Sequence, residues 1–242
     1  MGSPTALDHI LALLLGLALP ILSLLGGRDA LRGEAYDRAE KFALYRGNSI
    51  ALWLAAAVVC GVWLLADRPL SGLGLGVPNG SWPAGLLACA LATSFLVDSW
   101  LQLRTPERRR QTHERARRDT PFLPASRAEF APYALLAVSA GVCEEVLFRG
   151  HLIRYVQALV GDCPLQHVIA VGLPAVVFAL VHLYQGWRTV AKIGLGAAAL
   201  GTIFVLSGSL WVCMALHIAI DLVGGMLALR LESLGAAEQH EE

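Results

Sequence analysis

Seven apolar stretches, separated by short polar segments, constrain this chain more than any other feature. They run from Leu7 to Leu25, Ser49 to Ala66, Pro83 to Leu101, Ala131 to Phe148, Leu165 to Tyr184, Val190 to Leu206 and Ser209 to Leu229. Each is close to the roughly 17 to 25 residues that a helix needs to cross about 30 Å of hydrocarbon. In lipid only helices and closed barrels satisfy every backbone polar group, and stretches of this length are helices. The composition agrees: 56% of residues are hydrophobic and only 16% charged, whereas a soluble domain carries about 25% charge. The sequence therefore predicts an all-α, polytopic membrane bundle of about seven transmembrane helices. It divides into a three-span region with a basic loop over 1–130, a four-helix core over 131–230 and a polar C-terminal tail over 231–242.

Residues 1–8 contain Asp8 and no Lys or Arg, and no A-x-A site follows the first stretch, so it reads as a retained span rather than a signal peptide. Nineteen basic residues balance nineteen acidic ones, but the basic residues are not evenly placed. Five lie between Arg28 and Arg46, eight between Arg104 and Arg127, and Arg188, Lys192 and Arg230 fall on the same side of the membrane in this threading. Only Arg68, Arg149 and Arg154 fall on the other. The positive-inside rule then places the N-terminus outside and the C-terminus in the cytoplasm. The loop RTPERRRQTHERARRD is accounted for by topology and anionic headgroups, without nucleic acid as a partner. The preceding RDALRGEAYDRAEKFALYRG mixes both signs at helical spacing and reads as an interfacial helix. The scattered cysteines, Cys60, Cys89, Cys143, Cys163 and Cys213, form no CxxC pair and read as small apolar side chains rather than disulfides or a zinc knuckle.

Ionisable residues inside spans are costly and mark function by default. The candidates singled out in and beside these spans are Asp98, Glu144, Glu145, Arg149, His182, His217 and Asp221. Asp98 has two readings, a partner for Arg149 or a residue near the cytoplasmic interface, and the second is favoured. In AGVCEEVLFRG, Glu145 and Arg149 stand four apart with the acid first, the favourable order for a helical pair. Glu144 sits about 100° round the same helix and is free of that pairing. Phe178 and His182 share one face in FALVH, as do His217 and Asp221 in HIAID. Together they suit water-dependent acyl hydrolysis, with Glu144 and His182 activating water and His217 and Asp221 polarising the carbonyl. Zinc held by Glu144, His182 and His217 is chemically compatible with these residue types. No HExxH, GxSxG or Cys/His arrangement is present. A proton-coupled transporter or other non-enzymatic membrane protein would also use buried histidines and carboxylates, although no inverted repeat accompanies them.

These residues carry a resemblance. EEVLFR is similar to EExxxR, FALVH to FxxxH and HIAID to HxxxD/N, in that order and in spans. The series, over about residues 130–230, resembles the CPBP or ABI family of type II CAAX prenyl endopeptidases and bacteriocin-processing enzymes. RPLSGLGLG before the third span is a weaker likeness. The resemblance implies an intramembrane glutamate-dependent endopeptidase, often described as a metalloprotease, with no cofactor certain and zinc as the candidate metal. It implies Glu144 as base, His182 as its partner on water, His217 and Asp221 at the oxyanion, and Glu145 with Arg149 in support. Asp221 departs from the Asn of eukaryotic CAAX enzymes, and a buried Asp must be protonated or paired to help an oxyanion. The family's substrates are membrane-associated proteins and peptides. The richness in Ala, Leu, Gly and Arg suggests a high-GC bacterium, and hence protein maturation or sorting in the inner membrane rather than prenylated substrates. Counting along the spans sets Glu144 and His217 in the outer half and His182 nearer the cytoplasm. That mismatch shrinks if the fourth helix continues through GHLIRYVQALV.

Overall fold

In the computed structural model, the described backbone covers residues 2–30 and 36–241, with side chains described for 2–25 and 36–234. It is helical throughout, and no strand occurs among the described residues. Six helices are long and apolar enough to cross a membrane: α1 (Ala6–Leu25), α2 (Arg38–Leu65), α3 (Trp82–Leu103), α5 (Arg127–Val160), α7 (Trp187–Ser207) and α8, whose span is Trp211–Leu234. Between them lie the polar helix α4 (Pro106–Asp119) and the shorter apolar helix α6 (Gln166–Val181). The protein is an integral membrane helical bundle. Leu54, Leu65, Leu86, Leu135, Leu173 and Leu195 are more than half exposed in the absence of lipid, as expected of helices that face hydrocarbon.

Local chemistry sets the helix ends. Thr5 with Asp8 and Asp37 with Glu40 form reciprocal capping boxes before α1 and α2. Thr105 caps α4, with Pro106 at its first position. Within α1 a π-helical turn at Leu14–Ala18 precedes Pro20, whose missing N–H interrupts the regular ladder. The 231–241 segment continues α8 as helix. Part of the segment expected to form an interfacial helix, 31–35, lies outside the described residues, and its remainder from Arg38 opens α2.

Two features correct the expected spans. The fourth does not end at Phe148 but continues to Val160, 34 residues in all. Its extension carries Arg149, His151 and Arg154, which lower the apolar signal, yet Arg149 and His151 are buried against protein. Arg149 therefore belongs to neither membrane face and drops out of the side-by-side charge comparison. The fifth span shortens to Gln166–Val181, followed by a 3-10 turn at Leu183–Gln185 and Gly186 at φ 84°.

α5 is the centre of the bundle, packing along α2 on one side and α8 on the other, while α6 packs on α7 and α1. Gly141 permits the α5–α8 crossing, because a Cβ there would overlap the Ile218 side chain and lie 2.9 Å from its backbone nitrogen. At one end, RPLSGLGLG folds into the bundle as a plug: Leu73 is fully buried, Leu210 N–H donates to Gly74 O (2.8 Å) and Ser209 Oγ donates to Gly76 O (2.8 Å). Gly74 holds φ 97°, a conformation that favours glycine, and a Cβ there would strike Phe204. The start of α8 is therefore tied to the plug. At the opposite end α4 lies against α8, with His113 2.9 Å from Glu232. The cysteines are free: Cys143 and Cys213 are buried as expected, whereas Cys89 is exposed on α3.

Candidate active site

The site is assembled around His217. Glu145 opens a nine-residue π-helical segment, Glu145–Ile153, in which every residue is buried. Such segments are rare and gather at functional sites. Glu145 Oε1 lies 3.1 Å from Arg149, so the helical pair forms, and both side chains are enclosed at 0% and 3% exposure. The same Oε1 accepts from His217 Nδ1 at 2.8 Å, a partner on another helix that spacing within α5 does not show. The opposite edge of the imidazole, Nε2, faces two carboxylates, Glu144 at 3.8 Å and Asp221 at 3.7 Å. Glu144 and Asp221 keep 18% and 33% of their side chains open, so these two, and not Glu145, border accessible space. Three carboxyl groups thus meet one histidine and one arginine, and one carboxyl remains when both cations are matched.

His182 sits where α6 ends, its backbone N–H closing on Ala179 and Leu180. Its Nδ1 is 2.8 Å from Phe178 O. A carbonyl only accepts, so Nδ1 carries the hydrogen and Nε2 presents a lone pair. No ion pair or hydrogen bond joins His182 to Glu144 among the described residues. The link between His182 and the rest is Phe178, whose ring lies 4.6 Å from His182 and 6.3 Å from His217, centroid to centroid. Arg149 stacks over the same ring at 4.7 Å, and Phe148 meets it edge-on at 4.9 Å. FxxxH signals one helical face; that its phenylalanine also seats the arginine of EExxxR was not legible in one chain.

The depth mismatch disappears for two structural reasons. The continuation of α5 to Val160 puts Glu144 at the middle of a 34-residue helix, and His217 Nε2 on α8 lies 3.8 Å from the Glu144 carboxylate. Asp98 is not a partner of Arg149. It accepts from Lys192 and from Gln102, each at 2.7 Å, on the half-exposed surface near the end of α3.

Several residues around the site escaped sequence reasoning. Tyr184, on the turn after His182, lies with its ring 6.0 Å from the imidazole and 6.1 Å from Phe122. Gln185 Nε2 donates to its hydroxyl at 3.0 Å. Burial pushes the Tyr184 phenol up to about 12, and the nearby Glu144 and Asp221 carboxylates add to the rise. Phe122 belongs to a segment pinned from below: Tyr45 donates to Phe122 O, and Lys41 donates to Leu123 O (2.9 Å) and Glu129 (2.9 Å). Tyr133 donates to Asp221 O (3.0 Å), steadying α8 at the site. Far from it, Asp8 is fully buried in a two-pronged pair with Arg68 (2.9 and 3.0 Å).

Among the described residues no three His, Cys, Asp or Glu side chains gather into a metal-holding group. Nδ1 is engaged in both histidines, by Glu145 on His217 and by Phe178 O on His182, so Nε2 is the nitrogen each turns to the site.

Residues 126–223 match the family model described as type II CAAX prenyl endopeptidase Rce1-like. This is the family that the three motifs resemble, and the matched segment contains Glu144, Glu145, Arg149, His182, His217 and Asp221. The match supports a membrane protease of the CAAX type. No curated protein and no solved structure matches the chain.

Proposed function

We propose that the protein is an intramembrane endopeptidase that hydrolyses a peptide bond of a membrane-associated protein or peptide with water activated by Glu144 and His182. The observation that carries this reading is the convergence of Glu144, Glu145, His217 and Asp221 on one imidazole, with His182 joined through Phe178, inside the segment matched to the protease family. In this reading a water lies between the Glu144 carboxylate and the Nε2 lone pair of His182. Glu144 takes a proton from it as oxygen attacks the carbonyl carbon. His217, held by its Nδ1–H bond to Glu145, presents Nε2 toward the oxygen on which negative charge grows. Asp221 balances the imidazolium. Collapse breaks the C–N bond, and the proton on Glu144 passes to the departing amine, so the carboxylate is regenerated. Arg149 neutralises Glu145 and, through Phe178, keeps the two histidines at a set separation. No step runs through a metal.

The bilayer is the protein's other partner. We place it in the inner membrane of a bacterium with its N-terminus outside and C-terminus in the cytoplasm, from the sided basic residues. Its substrates are then peptides that reach the membrane during protein maturation or sorting. The test is purified protein in proteoliposomes, assayed on a library of membrane-inserting peptides with mass-spectrometric detection of new termini. Removing a general base costs about 10² to 10⁴ in rate, so Glu144→Gln should abolish cleavage at the parent's sites. Full activity in that variant would overturn the proposal. Proton-coupled solute flux without cleavage would favour the transporter reading instead.

A further inference from the structure

Between α2 and α5 runs a groove that the proposed reaction does not use. The two helices lie parallel and in step: Lys41 Nζ donates to Glu129 at 2.9 Å, and Trp53 Nε1 donates to Ser139 Oγ at 3.1 Å. An open cavity of about 540 Å³ lies along them, walled by Ile50, Trp53, Leu54, Ala57 and Leu135. That is within the roughly 300 to 1,000 Å³ of small-molecule sites. Trp53 and Ala57 also wall a second cavity, of about 260 Å³, that reaches Val142, Val146 and Met214. Ser139 is satisfied by Trp53 and by Leu135 O. Ser49 is not: it lines the larger cavity at 7% exposure, and its Oγ has no hydrogen-bond partner among the described residues. A buried hydroxyl left without a partner is costly. Positive charge stands at one end of the groove. Arg46 shares a helical stripe with Ile50, Trp53 and Ala57 on α2, and Arg127 shares one with Leu135, Val142 and Val146 on α5. Both arginines are exposed, and no ion pair engages either among the described residues.

We propose that this groove is the site of one anionic phospholipid, with its phosphate at Arg46 and Arg127, an ester carbonyl on Ser49 Oγ and an acyl chain running past Trp53 into the second cavity. The levels match. Ser49 opens the second apolar stretch, where ester groups meet hydrocarbon, and Arg46 lies three residues toward the headgroups, about 4.5 Å along the axis. From there its side chain extends outward to the phosphate. Basic pockets between membrane helices take anionic headgroups in this way. A helical peptide segment satisfies its own carbonyls and brings no anion to the arginines; an ester carbonyl is an acceptor with no donor of its own, the complement of the Ser49 hydroxyl. The lipid joins α2 to α5, the helix that carries Glu144 and Glu145, and takes no part in the reaction.

This inference is independent of the endopeptidase reading, and its test needs no cleavage. The full chain in detergent micelles is titrated with phosphatidylglycerol or phosphatidylcholine of the same acyl chains, bound lipid is counted by native mass spectrometry, and the unfolding temperature is recorded in parallel. One phosphatidylglycerol should bind about ten-fold more tightly than phosphatidylcholine and raise the unfolding temperature. Arg46→Gln and Arg127→Gln should each weaken phosphatidylglycerol about five-fold and leave phosphatidylcholine unchanged. Ser49→Ala should weaken both lipids equally, since both carry the ester. Ala57→Phe fills the groove and should remove the tight site with both arginines in place. Arg108→Gln, on the exposed basic surface of α4, is the control and should bind like the parent. The lipid-free unfolding temperature shows that each variant has folded. Equal affinity for the two lipids, or a loss in Arg108→Gln as large as in Arg46→Gln, overturns the proposal in favour of general attraction to an anionic surface. Tight binding that survives Ala57→Phe overturns it because the groove is then not the site. Retention of a membrane-inserting peptide in place of phospholipid assigns the groove to a peptide and overturns it as well.

Discussion

Replacing Arg149 with Met tests the electrostatic account of the site directly. The guanidinium is 3.1 Å from Glu145 Oε1, both side chains are enclosed, and the ring of Phe178 lies 4.7 Å beneath it. Breaking a buried pair by removing one partner costs about 3 to 5 kcal/mol, because the other charge is left uncompensated. Two structural details refine the figure. Glu145 retains His217 Nδ1 at 2.8 Å, which favours the low end. The lost stacking on Phe178 adds back on the order of 1 kcal/mol. The smaller values typical of polar contacts between membrane helices, about 0.6 kcal/mol, describe groups that find other partners; Glu145, with no exposed surface, has no route to solvent. Arg149→Met should therefore destabilise by about 4 kcal/mol in denaturant titration of the detergent-solubilised protein, and Glu145→Gln combined with it should recover about half. A loss below about 1 kcal/mol, or a double variant no more stable than Arg149→Met, would refute the reasoning.

Other outcomes follow from the same geometry. Gly141→Ala places a Cβ against Ile218 and its backbone nitrogen, forcing α5 and α8 apart; overpacking of this kind costs about 1 to 3 kcal/mol, and cleavage should fall as the Glu145–His217 bond lengthens. An equally active and stable variant would show that the crossing is not tight. Asp221→Asn should keep kcat within about ten-fold of the parent if the residue balances the His217 imidazolium rather than acting as the base; complete inactivity would move the base from Glu144 to Asp221. In the proposed mechanism no step runs through a metal, so chelation followed by desalting should leave cleavage unchanged, and a loss restored by stoichiometric zinc would refute the metal-free mechanism.

Hydropathy made the spans legible because lipid requires continuous apolar helix surface, and the six motif residues stood out because charge in a span is expensive. Contacts between helices were not legible for an equally physical reason. Spacing along one helix reports neighbours three or four residues away, so Glu145–Arg149 was readable and Glu145–His217, 72 residues apart, was not. The same limit hid the partnership of Asp98 with Lys192 and the two-sided packing of Phe178. The end of the fourth span was misplaced because Arg149, His151 and Arg154 look like a membrane boundary to a hydropathy count. Two of the three are instead enclosed by neighbouring helices, which no single-segment property encodes. Asp8 was passed over because its partner, Arg68, lies beyond the next helix.

α6 has a consequence for the surrounding lipid. Sixteen residues at about 1.5 Å each reach about 24 Å, short of a hydrocarbon layer of about 30 Å. Either acyl chains shorten around α6 or the segment after it stays below the headgroups. The end that must find this compromise is the one that carries His182. Mismatch of this kind costs fractions of a kcal/mol per Å, comparable to small changes in a rate barrier. Acyl-chain length should therefore act on this protein as a tuning variable, with short-chain bilayers matching α6 and long-chain bilayers straining the turn that follows His182.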